Sequence, residues 1–195
     1  MAEFMDTFKR VAQPDYLPHT FFIEGGGLAV ENALKVAFDW KRRKNLAKGS
    51  SAKGEKVIHF KQCFHGRTGY TMSLTDSPDK RKTMYFPKFD WPRVTNPKIT
   101  FPLKDNLEHV QELERKSLHE IKEAIAANPD NIASIILEPI QGEGGDNHFR
   151  CEFMQSLREI ADENDIMLIY DEVQTGVGVT GKMWAHQHFS PTECA

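Results

Sequence analysis

Two stretches of the chain, Ile132 to Leu137 and Ile166 to Tyr170, are nearly unbroken apolar runs rich in β-branched side chains, and each gives way abruptly to a polar, glycine-bearing turn. A strand that is apolar on every residue has no face to offer water, so it belongs in a sheet covered on both sides, the usual setting of parallel strands. Val57 to Phe60 reads as a third, shorter strand. Between the strands the spacing changes to that of helices. Ala29, Val30, Ala33, Leu34, Ala37 and Phe38 form one apolar stripe on a helix that runs to about Asn45. Leu113, Leu118, Ile121 and Ile125 mark an amphipathic helix over about 106–127, and Phe153, Met154, Leu157, Ile160 and Ala161 mark another that ends near Asn164. Thr75 to Pro102 carries five prolines, too many for regular helix or a central strand, and reads as a long ordered excursion. Alternation of helix and strand predicts an α/β fold, a mostly parallel sheet with helices on both faces.

Ligands of such sheets gather at the carboxyl ends of the strands. The polar clusters fall there: Phe64-His65-Gly66-Arg67 after the first strand, Glu138 to Gly145 after the second, Asp171 to Gly176 after the third. Composition narrows the ligand class. With 25 basic and 28 acidic residues in 195, the chain has no broad basic surface for nucleic acid and no polybasic segment for an anionic membrane, which leaves a small metabolite as the expected partner. No apolar run reaches the roughly 20 residues of a membrane span, and the first ten residues lack the apolar core of a signal peptide. Cys63, Cys151 and Cys194 are widely separated, which predicts free structural thiols, no paired zinc motif and a reducing, cytoplasmic setting.

Several residues have chemistry to offer. Glu24-Gly25-Gly26-Gly27 precedes a helix, where unpaired N–H groups and missing side chains suit a phosphate, although a glycine run before a helix is more often a plain turn and this one matches neither GxGxxG nor the lysine-bearing phosphate loop. Asp171 follows an apolar strand, so its carboxylate needs a cationic partner. That partner could be a protonated pyridine nitrogen or, with Glu172, a magnesium ion of a nucleotide-binding module; a turn-capping aspartate is the plain alternative. Arg67 could grip a carboxylate with two parallel hydrogen bonds, and Phe64 could offer a flat face to a ring. His59 and His65 lack a third metal ligand at plausible spacing and read as satisfied, non-ligand histidines, while Glu138 and Glu143 read as a solvated pair.

Taken together, four blocks carry a resemblance: FFIEGGGLAVENALK (Phe21 to Lys35), FHGRTGYTMSLT (Phe64 to Thr75), EPIQGEGGDNHF (Glu138 to Phe149) and DEVQTGVGVTGKMWA (Asp171 to Ala185). In order and separation they resemble the class III aminotransferases, pyridoxal 5'-phosphate enzymes of fold type I. FPKFDWPR (Phe86 to Arg93) together with FHGR narrows the resemblance toward the L-lysine 6-aminotransferase branch, with the ornithine, acetylornithine and 4-aminobutyrate branches close by. The resemblance implies that Gly26 and Gly27 hold the cofactor phosphate, that Phe64 and Val173 cover the two faces of the pyridine ring, and that Asp171 keeps its nitrogen protonated. It further implies that Gln174 bonds near the phenolic oxygen, that Arg67 anchors the substrate α-carboxylate, and that Glu143 acts as a switch, pairing with an active-site arginine outside these residues for one substrate and releasing it for the dicarboxylate. The implied partners are an amino acid, a 2-oxo acid and a second copy of the enzyme.

The resemblance runs from about Phe21 to His188, which divides the chain into an N-terminal helix or linker (1–20) and a partial cofactor-binding large domain (21–195). In the family the lysine that joins the cofactor lies beyond the DEVQTG block. Here Lys182 is the only lysine after Asp171 and stands too near it to be that residue. A fragment without the joining lysine and the small domain is the expectation, with no appreciable transamination by these residues alone.

Overall fold

In the computed structural model, which describes residues 2–190, the centre is a parallel sheet of four strands. The strands are β1 (Lys56–Phe60), β2 (Arg93–Val94), β3 (Ile132–Leu137) and β6 (Met167–Tyr170), in the order β2-β1-β3-β6. Ile58 pairs with Ile135, and Ile136 with Ile169. A short antiparallel ribbon, β4 (Ile140–Gln141) with β5 (Asn147–His148), follows β3. The helices are α1 (Ala2–Val11), α2 (Gly26–Ala47), the single turn α3 (Thr71–Leu74), α4 (Leu103–Ala127) and α5 (Cys151–Glu163), with 3-10 turns at Lys80–Lys82 and Ala185–Phe189.

The period of two along each strand decides which helix it meets. Ile58, Phe60, Ile135 and Leu137 turn to one face, where Ile121 of α4 and Phe153, Met154 and Leu157 of α5 cover them. Val57, Ile136 and Ile169 turn to the other, where Val30 and Leu34 of α2 and the aromatic side of Trp91 lie. Helices on both faces are therefore a consequence of strands that are apolar on both, as the sequence predicts. Ser134, the one hydroxyl in the β3 run, is fully buried with no partner for its Oγ among the described residues.

Several features depart from the expectations. α2 continues two residues past Asn45, and its Lys41 is buried with Nζ donating to the carbonyls of Asn164 and Asp165 at 3.1 and 2.8 Å. Its stem packs while its ammonium ties α2 to the turn before β6. The proline-rich excursion is mostly irregular, yet it contributes the edge strand β2, whose position the two-residue length conceals. Of the cysteines, Cys63 is free and buried, as expected of a structural thiol, and Cys194 lies outside the described residues. No helix among the described residues is long and apolar enough to cross a membrane.

Ile136 sits at the middle of the sheet with no exposed surface. Ile136→Ala is expected to cost about 2–5 kcal/mol in urea unfolding, whereas Val36→Ala on the solvent side of α2 should cost under about 0.5 kcal/mol. Equal effects would contradict the assignment of the core.

Candidate active site

The strand ends and the mouth of α2 converge. Gly25 precedes α2 with φ of 91°, and no side chain caps the helix, so the N–H groups of its first turn face outward with no acceptor of their own. The loop after β1 closes against this mouth. Gly66, at φ 114°, comes so near that a Cβ there would stand 3.0 Å from the Cα of Gly27 and 2.9 Å from Thr71 Oγ1. Glu31, one turn into α2, fastens the loop by accepting from Thr68 Oγ1 at 2.5 Å and from the Tyr70 N–H at 2.8 Å. From the third direction, Val173 packs on Gly26, where a Cβ would lie 2.9 Å from Val173 Cγ2.

The result is a cleft lined by Gly26, Gly27, Phe64, His65, Gly66, Glu138, Asp171, Val173 and Gln174. Six of these are the residues expected at the cofactor: Gly26, Gly27, Phe64, Asp171, Val173 and Gln174. Asp171 is 8% exposed at the end of β6. Its Oδ2 is 2.7 Å from His65 Nδ1, and its Oδ1 accepts the Val173 N–H at 3.2 Å. Burial works against a charge on His65, but Cys63 and the Asp171 carboxylate outweigh it and raise the imidazole pKa to about 10. His65 stands behind the carboxylate and fixes its orientation. His59, by contrast, is pushed down to about 3 by burial, with Arg93 and His65 adding to the effect.

Glu138 and His65 are the site residues the sequence did not single out. Glu138, expected in a solvated pair, is 4% exposed and accepts the Phe64 N–H at 2.9 Å, which fixes the start of the loop. Burial pushes its pKa up to about 7 against the pull of His65. Neither role had a local signal: His65 and Asp171 are 106 residues apart and meet because β1 and β6 flank β3.

The remaining expected residues lie outside this cleft. Arg67 lines a neighbouring, wider one with Glu31, Lys35, Tyr70, Phe86 and Phe89. Glu143 stands at the edge, its Oε1 accepting from Ser77 Oγ at 2.7 Å and Lys82 Nζ at 2.5 Å. Glu172, the second carboxylate of the magnesium alternative, is committed: it accepts the Ala185 and His186 N–H groups and pairs with His186 Nδ1 at 2.7 Å. Among the described residues, no three His, Cys, Asp or Glu side chains are grouped to hold a metal ion.

An uncapped helix mouth, a buried carboxylate backed by a histidine and an aromatic face in one cleft suit an anionic heteroaromatic cofactor, and comparison with known proteins agrees. The sequence profile of the class III aminotransferases matches residues 1–193. The chain belongs to that family. Its members are pyridoxal-phosphate-dependent enzymes. L-lysine-epsilon aminotransferase of Mycobacterium tuberculosis is 52% identical over 188 residues, 96% of this chain and 41% of that protein. 4-Aminobutyrate aminotransferase of Dictyostelium discoideum is 43% identical over 136 residues, 70% of this chain and 27% of that protein. The solved lysine aminotransferase of M. tuberculosis superposes with a TM-score of 0.94 at 50% identity, covering 97% of this chain and 43% of that one. The chain thus spans about two fifths of the length of these lysine-directed relatives. This class III match overturns the nucleotide-binding alternative at Asp171-Glu172.

The pKa of Glu138 sets a pH dependence. The fold raises it from 4.5 to about 7, so the stabilisation of the neutral form is complete below pH 4.5 and lost as pH rises through 7. Glu138→Gln, which stays neutral, should match the parent near pH 4.5 and exceed it by on the order of 1–3 kcal/mol above pH 7 in thermal melts followed by circular dichroism. A variant less stable than the parent at high pH would contradict the burial argument.

Proposed function

We propose that the chain supplies the cofactor-binding part of the large domain of a lysine 6-aminotransferase, with residues 1–20 as an N-terminal helix and linker and 21–195 as the partial domain. The complete protein would move the terminal amine of L-lysine to 2-oxoglutarate, giving 2-aminoadipate 6-semialdehyde and glutamate. The observation that carries this reading is the single cleft shared by the open mouth of α2 and the Asp171–His65 pair. The lysine-directed relatives at about half identity support the choice of amine. A homodimer and a cytoplasmic setting are carried over from the family.

When bound, pyridoxal phosphate supplies an electron sink for the carbanion formed as the substrate carbon loses its proton. The residues of this chain prepare the place. The N–H groups of Gly26 and Gly27 would receive the phosphate, favoured by the positive end of α2. Asp171 would hold a proton on the ring nitrogen, with His65 fixing the carboxylate's orientation from behind. Phe64 and Val173 would exclude water from the two ring faces, and Gln174 would bond near the phenolic oxygen. Arg67 would take the substrate α-carboxylate, directing the far amine inward, and Glu143 would serve as the switch between substrates. Lys182, whose Nζ donates to the Gln187 carbonyl at 3.2 Å, has no part in this assignment, and residues 1–195 alone should show no transamination.

In the full-length protein, Asp171→Ala should lower turnover of lysine with 2-oxoglutarate by at least about 10²-fold while the fold is retained. Near-parental turnover would remove the ring-nitrogen role. Ornithine or 4-aminobutyrate outcompeting lysine as amine donor would overturn the narrower choice of substrate.

A further inference from the structure

The turn that carries Lys82 is built so that one cation leaves it. Asp79 accepts the Arg81 N–H at 3.2 Å and Arg81 Nε at 2.8 Å, which fixes the 3-10 turn Lys80–Lys82. Lys80 and Arg93 are drawn the other way, to Asp76, at 2.8 and 3.8 Å. Lys82 alone of this basic group reaches across to Glu143, and its Nζ stands 5.9 Å from the centre of the Phe64 ring. Phe64 lines the cofactor cleft, and Gly142, next to Glu143, lies against the side chain of Gln174, which lines it too. Glu143 and Lys82 therefore form a neutral pair at the rim of the cleft. The pair is incomplete in one respect. Oε1 of Glu143 takes both donors, Ser77 and Lys82, while Oε2 is buried with no hydrogen-bond partner among the described residues.

An uncompensated carboxylate in this half-buried place would repel a substrate bearing a second negative charge and attract one bearing a positive charge. The two substrates of the proposed reaction differ in that way: the amine donor enters with a cationic end, the 2-oxo acid with two carboxylates. We propose that Lys82 is a positioning residue that holds and neutralises Glu143, and thereby sets how well the site accepts a dicarboxylate relative to a diamino acid. This rests on the aminotransferase reading above.

The test uses the full-length, cofactor-loaded protein and three variants: Lys82→Met, Lys82→Arg and, as a control from the same turn, Lys80→Met. Calorimetric binding of glutarate, an unreactive dicarboxylate, is measured beside KM for 2-oxoglutarate and for lysine. Lys82→Met should weaken glutarate binding and raise KM for 2-oxoglutarate by roughly three- to tenfold, without a matching rise in KM for lysine. Lys82→Arg should restore most of the loss, and Lys80→Met should behave as the parent. Equal shifts for both substrates, or unchanged glutarate binding in Lys82→Met, would overturn the proposal. A parent that binds glutarate but moves no nitrogen from any amine would instead overturn the aminotransferase reading.

Discussion

A carboxylate at the end of an apolar strand is costly unless a charge or several donors meet it, and the arrangement around Asp171 answers that cost from within the chain. His65 is fully buried beside it, and the two make a 2.7 Å contact. For this contact to exist, the loop after β1 must reach past β3 to the end of β6. That reach explains the positive φ of Gly66, its approach to Gly27 and the fastening of the loop by Glu31 and Glu138. The cleft follows as a by-product: a loop drawn over to Asp171 leaves one wall at the open mouth of α2 and another at Phe64. One oxygen of the aspartate faces the histidine, the other the start of its own turn, so the group is oriented before any ligand arrives. That is the structural sense in which the site is prepared.

Much of this was legible beforehand because buried parallel strands write their requirements plainly. Ile132 to Leu137 and Ile166 to Tyr170 permit no solvent face, which dictates helices above and below and places the chemistry at the strand ends. The glycine run before Leu28 marked the helix mouth for the same kind of reason. What escaped were features without a repeating pattern. β2 is two residues long inside a proline-rich segment, and the β4–β5 ribbon is shorter than any periodicity can register. The polar, glycine-rich turn makes Glu138 read as solvated, whereas the structure buries it at the end of β3 against the Phe64 backbone. His65 reads as a satisfied histidine, but its partner Asp171 is too distant in sequence to be named from the sequence. The placement of Arg67 in a cleft beside, rather than within, the one that holds Asp171 could not be read from FHGR alone, since adjacent residues of a turn point to opposite sides.

The chemistry assigned to the site is divided between what these residues can do and what needs more of the protein. In the proposed reading, orientation, charge on the ring nitrogen and shelter from water belong to Asp171, His65, Phe64 and Val173. The chain spans roughly two fifths of the length of the lysine-directed relatives. The Asp171–His65 pair is the centre of the proposed chemistry, because the loop that brings the two together also shapes the cleft.

The most direct measurement is the ¹⁵N chemical shift of ring-labelled pyridoxal phosphate bound to the full-length protein, compared with the Asp171→Asn variant. A protonated ring nitrogen in the parent across neutral pH, and a neutral one in the variant, is what the account requires. An unprotonated nitrogen in the parent, or the same shift in both proteins, would contradict it.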